Sequence, residues 1–244
     1  TGEIRKPLKP SAALEGFTIP VSQNIERAGR TCYKSEEKIP DNPAASVASS
    51  RKFARMIIKR GHESVLEHAS ATVRFVCDRG VSHELVRHRL ASFSQESTRY
   101  CDYNKDGAEG GGHVQFIIPP WVSLKPGTVD DPKRDLHGLL DGEIAAGTET
   151  WFYTMFQSEC HYRALRSKGW RPEQARSVLP NSLKTEIVMT ANMREWRLVF
   201  RLRCAKAAHP QMREVMEPLL KNVFHARWPE LFEDVMYELY GAAE

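Results

Sequence analysis

The sequence predicts a mixed α/β or α+β fold in a single domain spanning residues 1–244. Helical patterning recurs in six segments, strand patterning in only three, and a chain of this length can bury one full core. Charged residues at 27% and hydrophobic residues at 41% exclude a disordered or fibrous chain. A net charge of +4 favours anionic small partners such as nucleotides, and falls short of the concentrated charge of a nucleic-acid binder. The five cysteines, Cys32, Cys77, Cys101, Cys160 and Cys204, form no CxxC pair and fit reduced thiols in a cytoplasm. No apolar run approaches the roughly 20 residues needed to span a bilayer, and the polar start from Thr1 to Pro10 lacks the apolar centre of a secretory signal.

Taken in chain order, apolar spacing predicts helices from Ile25 to Tyr33 and from Ala45 to Lys59. Ala71 to Val76, rich in β-branched and aromatic residues, predicts a strand, followed by a helix from Val81 to Arg89. Asn104 to Gly112, with Gly110, Gly111 and Gly112 in succession, reads as a mobile loop. A strand over Val114 to Ile118 stops at Pro119 and Pro120, and a long helical stretch runs from Arg134 to Arg166. Leu183, Thr185, Ile187 and Met189 alternate against Lys184, Glu186 and Val188, which predicts a strand to Thr190. Helices follow over Met193 to Cys204 and Pro210 to His225. Asn192 stands where strand gives way to helix, three residues before Glu195, the spacing of a capping box.

No phosphate loop and no GxGxxG fingerprint is present, so side chains must make many of the contacts to any bound nucleotide. His83, Glu84 and His88 resemble a zinc-protease HExxH, but the second histidine is one position late and about 140° off the first one's helical face. No metal is therefore expected. The densest chemistry lies in RHRLASFSQESTRY, Arg87 to Tyr100. Its three arginines, histidine, hydroxyls, Gln95 and Glu96 form a set of forked and short donors suited to phosphates and carbonyl edges.

The Arg-His-Arg triplet, seven residues, then Ser97 followed by Arg99 and Tyr100 resembles the defining motif of the flavin-dependent thymidylate synthases. GHESVLEH from Gly61 to His68, QARSVLPNS from Gln174 to Ser182, and ANMREWRLVFRLRCAKAAHPQMRE from Ala191 to Glu214 are similar to further elements of that family, in the expected order. The resemblance implies a central, mostly antiparallel sheet flanked by helices, assembled as a homotetramer with active sites shared between subunits. It implies methylation of dUMP to dTMP with FAD as cofactor and with NADPH and 5,10-methylenetetrahydrofolate as co-substrates.

Residue by residue, it implies that Arg87, His88 and Arg89 contact FAD, together with Ser64, Gln95, Asn192, Met193 and Arg194. Leu198 occupies a position that in some members offers the flavin a polar group. For dUMP it implies Glu84, Arg87, Gln95, Glu96, Ser97, Thr98, Arg99, Arg176 and Arg203. Arg203 would polarise the uracil ring, with no cysteine nucleophile. Glu84 stands where a glutamine is often found, and its carboxylate beside a phosphate would need the charge of Arg87, one helical turn on. Ser94 and Gln95 replace an Asn-Glu pair.

Overall fold

Helices make up about 54% of the described residues, and the strands among them fall into two ladders. The computed structural model describes residues 6–104, 113–129 and 131–241. Strand β1 (Lys6–Leu8) pairs in parallel with β5 (Gln115–Ile117), in a register that sets Pro7 opposite Phe116. The other ladder is an open antiparallel sheet of β2 (Ser11–Phe17), β3 (Ser70–Asp78), β4 (Ala91–Gln95) and β6 (Lys184–Asn192), in the order β2-β3-β6-β4. The last strand in sequence is thus inserted beside β3, where both strands alternate buried and less buried residues, as one covered face requires.

Packing divides the protein into two units. The first comprises the described parts of Thr1–Ser11, Phe75–Leu85 and Ser94–Ile187; the second comprises Ala12–Arg74, Val86–Phe93 and the described part of Val188–Glu244. The first holds helices α3 (Arg79–Leu85), α4 (Pro132–Leu139), α5 (Thr148–Ser167) and α6 (Pro172–Ala175). Its core forms two clusters, one around Tyr103, Phe116, Met155 and Tyr162, the other around Ile118, Leu124, Leu136 and Phe152. The second unit holds α1 (Val21–Tyr33), α2 (Pro43–Lys59), α7 (Met193–Arg203), α8 (Pro210–Pro218) and α9 (Pro229–Tyr240). Its centre is a group of fully buried rings: Phe224 lies 5.0 Å from both Trp196 and Phe200 and 5.3 Å from Phe232, centroid to centroid. Among the described residues, no helix is long and apolar enough to cross a membrane.

Local chemistry explains most element ends. Asn42 caps α2 by accepting from the amides of Ala44 and Ala45 at 3.0 and 3.1 Å, with Pro43 at the first helical position. Pro218 interrupts the last helical hairpin, and the backbone widens into a π-turn over Leu219–His225 because proline offers no N–H to the ladder.

Several expectations need correction. The stretch from Arg134 to Arg166 is two helices, since Gly142 and Gly147 take positive φ of 69° and 88° between α4 and α5. The helix expected over Val81 to Arg89 is displaced to Arg79–Leu85, because Asp78 accepts the Val81 amide at 2.7 Å and starts it early. Strands β1, β2 and β4 and helix α9 were not expected at all. The polar start conceals β1, whereas β2 and β4 are sheet edges that carry no fully buried residue. Apart from Asn104, the glycine-rich loop lies outside the described residues.

Candidate active site

Helix α7 organises the second unit's share of the motif residues. Asn192 ends β6 and caps α7, its side-chain oxygen accepting from the Glu195 amide at 2.8 Å. Met193, the first residue of α7, is fully buried, and its amide donates to the Ala69 carbonyl at 2.8 Å. Arg194 points outward and pairs with Glu67 at 2.6 Å, an exposed contact of small energetic value. Leu198 remains 45% exposed on the same helix, and Ser64 is exposed in the 3-10 turn Glu63–His68.

Arg87, His88 and Arg89 lie beyond the end of α3, in turns leading into β4. Arg87 therefore lies outside the helix that holds Glu84, and the two are not stacked on one helical face. Arg87 and Arg89 are exposed, while His88 is buried. Its Nδ1 lies 3.2 Å from the Glu195 carboxylate, and its Nε2 lies 2.9 Å from Nε of Arg203, the last residue of α7. Burial, then the charge of Arg203, lowers the His88 pKa below the ordinary imidazole value, against the opposing pull of Glu195. Among the described residues no group of three His, Cys, Asp or Glu could hold a metal ion.

In the first unit, the segment after β4 is braced by a guanidinium and hydroxyl network. Gln95 donates to Ser82 at 2.8 Å and to Thr185 at 3.2 Å. Arg79 donates to Thr185 at 3.0 Å and to the Glu96 carbonyl at 3.3 Å. Arg176 reaches the buried hydroxyl of Thr98 at 2.8 Å. Glu96 accepts from the Tyr103 hydroxyl at 2.7 Å, with Lys184 at 3.4 Å. Burial, and then the Glu96 charge, pushes the Tyr103 phenol up, so it stays a donor. The Ser97 hydroxyl accepts from the Arg99 amide at 3.3 Å, an ordinary turn contact, and the Arg99 guanidinium donates to Tyr100 at 2.9 Å. Glu84 is half-buried in the last turn of α3.

Gln95, Glu96, Thr98 and Arg176 are therefore gathered into one network, and His88 and Arg203 into another. Arg79, Thr185, Lys184 and Tyr103 were not picked out as site residues, although they brace the first network. Thr185 and Lys184 carried a signal as polar residues inside a buried strand; Arg79 and Tyr103 carried none.

A family model described as "Thymidylate synthase complementing protein" matches residues 18–230. The chain belongs to the flavin-dependent thymidylate synthase family. The flavin-dependent thymidylate synthase of Mycobacterium sp. (strain JLS) is 31% identical over 229 residues, covering 90% of this chain and 81% of that protein. Probable flavin-dependent thymidylate synthases of Mycobacterium phages D29 and L5 are 34% and 36% identical, over 88% and 86% of this chain and 84% and 79% of theirs. The matched span contains the thymidylate synthase motif from Arg87 to Tyr100, the Asn192 cap and Arg203, so both networks lie within the family's common region.

Proposed function

We propose that this protein converts dUMP to dTMP by reductive methylation, with 5,10-methylenetetrahydrofolate as carbon donor and NADPH as the source of reducing equivalents. The carrying observation is Arg203, a guanidinium held at the end of α7 by a buried histidine. A planar fork addressed to uracil N3 and its neighbouring carbonyl would favour loss of the N3 proton and concentrate negative charge in the ring, raising the nucleophilicity of carbon 5. The bond from Arg203 Nε to His88 fixes the plane of that fork before the substrate arrives.

The chemistry of the donor set fits a flavin dinucleotide. Arg87, Arg89 and Arg194 are exposed guanidinium groups in the same unit, suited to a pyrophosphate, and that unit also exposes the Ser64 hydroxyl and the apolar side chain of Leu198. FAD, when bound, supplies the hydride that completes the methyl group. In the first unit, Glu84, Gln95, Glu96, Ser97, Thr98, Arg99 and Arg176 would hold the nucleotide, the hydroxyls and guanidinium groups taking its phosphate and sugar. Burial pushes the Cys77 thiol up and that of Cys204 up to about 12, which supports a mechanism without a cysteine nucleophile.

We read residues 1–244 as one domain, since β3, β4 and β6 each contribute residues to both units. We also read the working enzyme as a cytoplasmic homotetramer with sites shared between subunits. Five free thiols fit a reducing compartment, and Leu90 and Leu202, 73% and 52% exposed, are apolar surface that a neighbouring subunit would cover. The visible spectrum of the purified protein, recorded with and without dUMP, tests cofactor and substrate together. A flavin spectrum perturbed by dUMP is expected; a protein that neither retains nor takes up FAD overturns the proposal.

A further inference from the structure

We propose that Glu195 is a positioning residue for Arg203, acting through His88. This rests on the reading that Arg203 addresses the uracil ring. A glutamate three residues after an Asn cap ordinarily turns its carboxylate back to the cap amide. Glu195 forms only half of that motif: its amide donates to Asn192, but its carboxylate faces His88 Nδ1 at 3.2 Å. Both side chains are about 95% buried, at 4% and 5% exposure, so neither is held there by solvent.

Proton directions follow from the donors. An arginine has no acceptor, so Nε of Arg203 donates and His88 Nε2 must be unprotonated. The ring proton therefore sits on Nδ1 and is donated to Glu195. An imidazolium would present a proton to the arginine, so the pair is a neutral imidazole and a carboxylate, not an ion pair. Glu195 thus selects the tautomer that lets His88 receive Arg203, tying the first turn of α7 to its last through a turn residue 107 and 115 positions away in sequence. Without that acceptor the ring can flip or take the other tautomer, and Arg203 loses the bond that orients it.

The test uses the full chain loaded with FAD, as wild type, Glu195→Gln and Glu195→Ala, with 15N spectra of the histidine rings assigned by difference from His88→Gln. Wild type and Glu195→Gln should carry the His88 proton on Nδ1, because a glutamine carbonyl still accepts it. Glu195→Ala should lose this signature and lower dTMP turnover at saturating dUMP by about tenfold, the scale of one buried polar partner left unmatched, with flavin content retained. Glu195→Gln should stay within about threefold of wild type. The proposal fails if wild-type His88 carries its proton on Nε2, if Glu195→Ala turns over normally, or if Glu195→Gln is as impaired as Glu195→Ala. Should Glu195→Ala not fold, the ring spectra of wild type and the glutamine variant still decide. Normal turnover in Arg203→Ala would instead remove the ring-polarising reading and leave the tautomer result standing by itself.

Discussion

Arg203 is the residue on which the chemistry turns. Its replacement by alanine should lower dTMP formation roughly 100-fold or more, the scale of removing one preorganised electrostatic donor. Flavin reduction by NADPH should survive, because that half-reaction does not use the uracil ring. Arg203→Lys should rescue little, since an ammonium keeps the charge but has neither the planar fork nor the Nε that meets His88. Measuring the two half-reactions separately in both variants checks this, and near-normal dTMP formation in Arg203→Ala would contradict it. Ser97 presents the opposite case. Its hydroxyl sits in a turn contact with the Arg99 amide, so Ser97→Ala should raise the KM for dUMP and leave turnover measurable at saturation. A trapped Ser97 adduct would rule out a binding role.

At the scale of the element, the cap and the clamp are separable. Asn192→Ala removes the side chain that accepts the Glu195 amide and should cost about 1 kcal/mol of stability, read as a lowered unfolding midpoint. Asp102 is clamped by Arg166 of α5 at 2.6 Å, and the hydrogen bond from that guanidinium is the main influence holding its carboxyl below the usual range. A depressed folded-state pKa contributes stability that is present above about pH 4 and is lost as the pH falls through the folded value. The melting-temperature gap between wild type and Asp102→Asn should therefore be widest near neutrality and narrow below about pH 4. Legibility in the sequence followed the same physics. Strand β3 was readable from its β-branched and aromatic residues and β6 from its alternation, both of which burial enforces, whereas the edge strands β2 and β4 have no buried face to betray them. Helix α9 had a usable signal in Pro229 followed by Leu231, Phe232 and Val235. At the site, Asn192 was legible as a cap because its acceptor role is local. The turn of the Glu195 carboxylate toward His88 was not, since it depends on a contact across 107 residues of sequence.

For the whole molecule, sedimentation with an activity measurement at working concentration should find the active species to be four chains. A fully active monomer would refute shared sites. The distribution of thiols offers an independent route to the same number. Of the five cysteines only Cys32 is exposed, on the last turn of α1, whereas Cys77 and Cys204 are buried with raised pKa values. A maleimide dye added briefly to the native protein should mark Cys32 first, one fluorophore per chain. Single assemblies fixed to glass would then darken in discrete steps under illumination, so that an intensity trace counts the subunits one by one.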